Sequence, residues 1–150
     1  MANSFYQPPR VETAATTGNA LRTGLALIFL WFFVGGLAHF VATDLEAQIV
    51  PPYIPWPHEV VLITGVLEVL GALGLLWRAT RRWAGVGLFL LTIAVTPANI
   101  YMLQHASEFA VPYGLLWLRL PLQVGLLWLI WWSAIRKQPQ FAPAPATPLG

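Results

Sequence analysis

The stretch "LITGVLEVLGALGLL", residues 62–76, decides how the chain is read. Its only polar side chains are Thr64 and Glu68. With its flanks it reaches the roughly 20 residues that a helix rising 1.5 Å per residue needs to cross a hydrocarbon core of about 30 Å. A carboxylate near the middle of such a segment costs about 3 kcal/mol on insertion scales, so Glu68 must be neutral, paired or turned toward a polar cavity.

The rest of the 150-residue chain agrees with a membrane setting. Hydrophobic residues make up 57% and charged residues 9%, far from the proportions of an ordinary soluble domain. The isoelectric point is near 9.4. The formal net charge is only +2, and the basic residues lie in short groups at the ends of apolar runs. That is the pattern of topology signals, and no nucleic-acid partner is expected. Without cysteine there are no disulfides, thiol redox chemistry or Cys-ligated clusters.

Four segments have the length and apolarity of membrane spans: 20–41, 58–78, 83–104 and 114–134. The breaks are "TDLEAQIVPPYIPWPH" (43–58), the basic turn "RATRR" (78–82) and "HASEFAVPYG" (105–114). The polar first 20 residues are unlike a secretory signal, so the first apolar segment is expected to be retained. Residues 1–19 read as a polar tail, 20–134 as one transmembrane domain, and 135–150 as a Pro/Ala-rich tail that is extended or disordered. Trp56, Trp77, Trp83, Trp117, Trp131 and Trp132 fall near span ends, where interfacial anchors belong.

Arg10 and Arg22 precede the first span, Arg78, Arg81 and Arg82 join the second to the third, and Arg136 and Lys137 follow the fourth. The other two loops carry acids and no Lys or Arg. By the positive-inside rule both termini are expected to be cytoplasmic. The expected fold is therefore all-α: an up-down antiparallel four-helix transmembrane bundle, with small residues such as Gly35, Gly36, Gly65 and Gly71 at close helix contacts. No internal repeat and no pair of discontinuous half-helices of the transporter kind is evident.

Depth counting gives Glu68 company. Gln123 on the fourth span falls near its level, Arg119 lies one turn away on the same face, and Asn99 on the third span is near Arg119. An arginine stem can reach along a bundle, so Arg119 is expected to approach Glu68 with Gln123 as a bridge. Pro97 and Pro121 deny hydrogen bonds to the carbonyls of Ile93 and Trp117, adding polar groups that need partners. The same side chains could serve only to tie four helices together. His39, His58 and His105 all fall toward the acidic ends of their helices, so a zinc or copper site from those three is an alternative to no metal at all. One of them beside the buried carboxylate could also accept a proton. No phosphate loop, Ser-His-Asp arrangement or carboxylate-rich metal motif is present.

Several stretches together resemble the DoxX family of small bacterial membrane proteins, in particular its DoxX-like branch. They are "GGLAHF" (35–40), "IVPPYIPWP" (49–57), "TGVLEVLGALGLL" (64–76), "RRWAG" (81–85), "PANIYM" (97–102) and "WLRLPLQ" (117–123). The resemblance covers residues 24–134. It implies a multi-pass protein of the bacterial inner membrane, with family-typical positions at His39, Glu68, Asn99, Arg119 and Gln123, among others. Thr96 stands where the family would have a bulkier residue, and the proline-rich tail is not a family feature. The family name implies a subunit or accessory role in quinone-linked redox or stress metabolism. A quinone is then the cofactor to consider, and the lipid bilayer, another membrane or redox subunit, or a second copy are the partners. The chain has no evident site for flavin, haem or an iron–sulfur cluster, so electron transfer would need that partner. Transport of a small solute or proton, or a purely structural assembly role, are the competing readings, and a self-sufficient enzyme is not expected.

Overall fold

The structure is a computed structural model that describes residues 11–109 and 111–136. Its order is α1 (Val11–Val41), α2 (Thr43–Ala47), α3 (Pro57–Gly74), α4 (Arg81–Ala94), α5 (Thr96–Gln104), a 3₁₀ turn (Ala106–Glu108), α6 (Tyr113–Ile130) and a π-helical turn (Trp131–Ile135). Among the described residues there is no strand, and four helical stretches are long and apolar enough to cross a membrane: Thr17–Val41, Pro57–Gly74, Arg81–Gln104 and Tyr113–Ile135. Few of their large apolar side chains are buried, and many are exposed, including Leu30, Val34, Leu70, Trp83, Leu90 and Val124. In water such a surface would aggregate, and in lipid it is the expected exterior. The protein is a multi-pass membrane protein.

Each boundary has a local cause. Helix α1 is already helical at Val11, before the expected span start, since "VETAATTGNALR" contains no proline to break it. The rest of the expected N-terminal tail, residues 1–10, and nearly all of the C-terminal tail lie outside the described residues. Helix α3 ends at Gly74, short of the expected 78. There the carbonyls that a helix end leaves free are taken by side chains: the Thr80 hydroxyl donates to Gly74 O at 2.8 Å, and Arg81 Nε–H donates to Leu75 O at 3.0 Å. The basic turn is thereby part of the helix cap. At the other end of α3, Trp56 holds a left-handed backbone (φ 53°) directly before Pro57 and accepts the Val60 N–H at 3.0 Å, opening the helix.

The third span is interrupted rather than continuous. Pro97 occupies the first turn of α5, where its missing N–H is harmless, but that same absence ends α4 at Ala94. Pro121, by contrast, sits inside α6 without breaking it.

Helix α1 packs most extensively on α3, α3 on α4, and α4 on the π turn, while α1 and α6 touch little. A dry core of Ile28, Phe32, Ala72, Leu75, Leu88, Ile130 and Ala134 fills the half of the bundle nearer the arginine turn. Burying such side chains contributes to packing within lipid chiefly through dispersion, since the membrane is itself apolar. The α1–α3 crossing is set by glycines. A Cβ added at Gly36 would lie 2.9 Å from Gly65 O, and one at Gly65 would lie 2.9 Å from Gly36 O and 2.7 Å from His39 Cβ. Only hydrogens fit there, so the two backbones meet in the half of the bundle nearer the acidic loops.

Candidate functional site

Above the dry core, polar side chains collect in two groups separated by a cavity. The first joins α1, α2 and α3. Thr43 donates its hydroxyl to His39 O at 2.6 Å at the junction where α1 gives way to α2. Helix α2 then turns Glu46 back so that its carboxylate pairs with His39 Nδ1. The other ring nitrogen, Nε2, lies 3.6 Å from Glu68 Oε1. This approach depends on the glycine crossing, and Gly35 continues it: a Cβ there would stand 3.1 Å from Glu68 Oε2.

The second group joins α4, α5 and α6. Gln123 Nε2 donates to Thr92 O at 2.7 Å and to the Thr96 hydroxyl at 2.5 Å, while its Oε1 accepts from Asn99 Nδ2 at 2.8 Å. The Thr96 hydroxyl in turn donates to Thr92 O at 3.3 Å, and the Thr92 hydroxyl to Leu88 O at 2.7 Å. Gln123 is 9% exposed, so these bonds satisfy an amide that lipid would not solvate. They also clamp α6 onto the interruption between α4 and α5.

Arg119 stands between the groups. One guanidinium nitrogen, Nη1, donates to Met102 Sδ at 3.4 Å. A thioether is a weak acceptor, which leaves most of the five arginine donors for other partners. The bridge expected from Arg119 through Gln123 to Glu68 does not form. Among the described residues Glu68 has His39 as its ion-pair partner, and no carboxylate lies within ion-pairing distance of Arg119. The reason is rotation about the helix axes: Gln123 faces α4 and α5, and Glu68 faces α1.

Glu68 and Arg119 nonetheless line the same two cavities. The inner one, about 260 Å³, is walled by Glu68, Arg119, Asn99, Gln123 and Thr92 on its polar side and by Trp31, Phe32, Leu122 and Leu126 on its apolar side. The outer one, about 660 Å³, runs along α1 past Gly35 and His39 to Glu46. A third, nearly all apolar, lies between Trp31 and the Pro121–Leu129 face of α6. Trp31, 56% exposed, borders all three. The little-contacted seam between α1 and α6 is therefore an opening from the side of the bundle into its polar centre.

The three histidines do not converge. His39 is between two carboxylates, His58 Nε2 of α3 is 3.2 Å from the exposed Asp44 Oδ1 of α2, and the His105 ring stacks on Tyr101 with Nδ1 3.0 Å from Tyr101 O. Among the described residues no three His, Cys, Asp or Glu side chains are grouped to hold a metal ion. Their equal depth brought them into consideration, and their different azimuths keep them apart. Sequence reading did not pick out Glu46, Thr92, Thr96, Met102 or Trp31 as site residues. The threonines could have been found, because Thr92, Thr96 and Asn99 follow the i, i+4, i+7 spacing of one helix face. Glu46 could not, since its approach depends on the break after Val41.

Fold and site together define a small four-span membrane protein with a polar, laterally open centre. Residues 27–134 match the family described as a domain of unknown function (DUF8561), and the chain belongs to that family. No curated protein and no solved structure matches it.

Proposed function

We propose that the protein binds a lipid-soluble small molecule with a polar head, of the quinone type, and acts as a subunit or accessory protein in quinone-linked redox or stress metabolism of a bacterial inner membrane. The carrying observation is the cavity that places Glu68, Arg119, Asn99 and Gln123 around one space reached sideways past Trp31. Its volume of about 260 Å³ is near the lower end of ligand sites, which run from about 300 Å³ upward, and suits a head group whose tail leaves through the seam. The donors fit: quinone carbonyls are acceptors, and Arg119 has guanidinium N–H groups beyond the one spent on Met102. Asn99 and Gln123 hold each other rigid at the rim, and Glu68 is the group able to take or give a proton. A bound quinone would supply the two-electron chemistry, with electrons exchanged through a separate redox subunit. The resemblance to the DoxX family, and cytoplasmic placement of the arginine-rich end, complete this reading.

Native mass spectrometry of the detergent-extracted protein with a short-tailed ubiquinone tests it. Retention by wild type and loss in Glu68→Gln and Arg119→Leu is expected; no retention by wild type, or equal retention by both variants, overturns it. A purely structural role is the second reading, favoured by the fully bonded Gln123. It predicts that replacing the polar side chains lowers stability and leaves ligand retention per folded molecule unchanged.

A further inference from the structure

The Glu46–His39–Glu68 group has a geometry that ligand binding alone does not require. Imidazole is the one side chain that takes a proton on one nitrogen while releasing one from the other. Here a carboxylate stands beside each nitrogen, Glu46 beside Nδ1 and Glu68 beside Nε2, so that a small reorientation of either carboxylate brings it into hydrogen-bond geometry. The three residues come from three elements, α2, α1 and α3, and exposure rises along the line, from 13% for the Glu68 side chain to 25% for that of Glu46. One end faces the inner cavity at mid-span and the other the acidic loop.

We propose that Glu46, His39 and Glu68 form a one-sided proton relay connecting the cavity with the water at the acidic end of the bundle. The inference rests on the polar cavity described above for its inner terminus, and it needs no quinone. Proton release runs in three balanced steps. Glu68 carboxylic acid gives its proton to Nε2 and becomes carboxylate; the imidazole gives its Nδ1 proton to Glu46; Glu46 passes that proton to water. Rotation of the ring, or the same steps reversed, restores the starting tautomer. Charge is conserved at every transfer, and uptake is the reverse sequence. The 3.6 Å between Nε2 and Glu68 exceeds a direct hydrogen bond, so transfer proceeds after a small approach or across one water. Gly35 leaves the carboxylate free to make that approach.

The other groups facing His39 fit the same role. Thr43, on its own chain segment, ties up the His39 carbonyl and fixes the backbone. Arg119 of α6 borders the outer cavity with His39 and Glu68, and supplies positive charge beside the carboxylate left when Glu68 releases its proton. The Asp44–His58 pair lies farther out on the exposed rim. Toward the arginine end the path stops, because the cavity floor is Phe32 and the apolar core beneath it. The relay therefore loads and unloads the cavity from one face and does not conduct across the bundle.

Infrared difference spectroscopy of the full chain in lipid nanodiscs, without quinone, tests this by following the Glu68 carboxyl stretch during exchange from H₂O to D₂O. Glu68→Gln assigns the band. His39→Gln and Glu46→Gln should slow its exchange on the order of a hundredfold, the low end of what a positioned proton carrier contributes. Glu46→Gln changes a partly exposed residue of the short helix α2 to one of nearly equal size and should leave helix content intact, so slowed exchange there is not a folding defect. Exchange as fast in both variants as in wild type, or no Glu68 carboxyl band at any pH at which the protein stays folded, overturns the relay. A sustained proton current through the protein in sealed vesicles would overturn its one-sidedness. Because quinone is absent, the outcome is independent of whether quinone is retained.

Discussion

Replacing Gly65 by alanine tests the helix crossing on which the site depends. The new Cβ would stand 2.7 Å from His39 Cβ and 2.9 Å from Gly36 O, where ordinary contact begins at 3.4 Å. One neighbour is backbone and the other is fixed to it, so relief requires α1 and α3 to part by about 0.7 Å at this point. Overpacking of this kind costs about 1–3 kcal/mol. Alanine also favours the helix over glycine, by about 1 kcal/mol, which would hide part of that cost. Gly87→Ala removes the ambiguity: nothing lies within 4 Å of a Cβ there, and the residue is also mid-helix, so it takes the propensity gain without the clash. Reversible unfolding in mixed micelles, followed by tryptophan fluorescence, should place Gly65→Ala below Gly87→Ala by about 1–3 kcal/mol. The same variant should slow Glu68 exchange, because the 3.6 Å gap to His39 widens with the helices. Stabilities of the two variants within about 0.5 kcal/mol of each other, the scatter of ordinary surface changes, would refute the reasoning.

Three further outcomes follow from the hydrogen bonds. Gln123→Leu removes three bonds, each worth about 0.6 kcal/mol in membrane proteins, and should lower stability by about 2 kcal/mol in the same assay. Adding Asn99→Leu should cost less than it does alone, because the single change already leaves the Asn99 amide without its partner. Arg81→Leu removes the donor to Leu75 O and should cost about 1 kcal/mol, measured by the same unfolding titration; an unchanged midpoint would show that the cap contributes nothing.

The fold was legible to the extent that it is written in length, apolarity and breaks. Runs of apolar residues bounded by "RATRR" and the proline-rich loop mark four spans whatever the details of packing. What was not legible turns on competition at single positions. The side chains of Thr80 and Arg81 draw the end of α3 back to Gly74, although Leu75, Leu76 and Trp77 are apolar enough to continue it. Pro97 and Pro121 are the same residue in the same kind of setting, yet one ends a helix and the other does not.

The site divides along a similar line. Depth along a helix can be counted from sequence, and the residues chosen by depth do surround one cavity. Azimuth cannot be counted until the neighbours are known. Hence the pairing of Asn99 with Gln123, and of Glu68 with His39 rather than Arg119, had to come from coordinates. The glycines at 35, 36 and 65 were read as packing residues, but their part in bringing an imidazole to a carboxylate depends on which helix they face.

The π turn at Trp131–Ile135 closes with the Arg136 N–H on Trp131 O, one residue farther back than an α-helical bond. One extra residue shifts everything beyond it by about 100° around the helix axis. Ser133 and Ala134 lie within this turn and face inward, against Gly24 and Gly85, with Trp131 left half exposed. The end of the fourth span is thus a place where chain length acts as a rotational dial. A single-residue deletion there would keep the helix and its hydrophobicity, yet turn the small residues outward and a bulky neighbour into the glycine contacts. A deletion at this point would change phase and hardly alter span length, so hydropathy alone would pass a sequence whose bundle no longer closes in the same way.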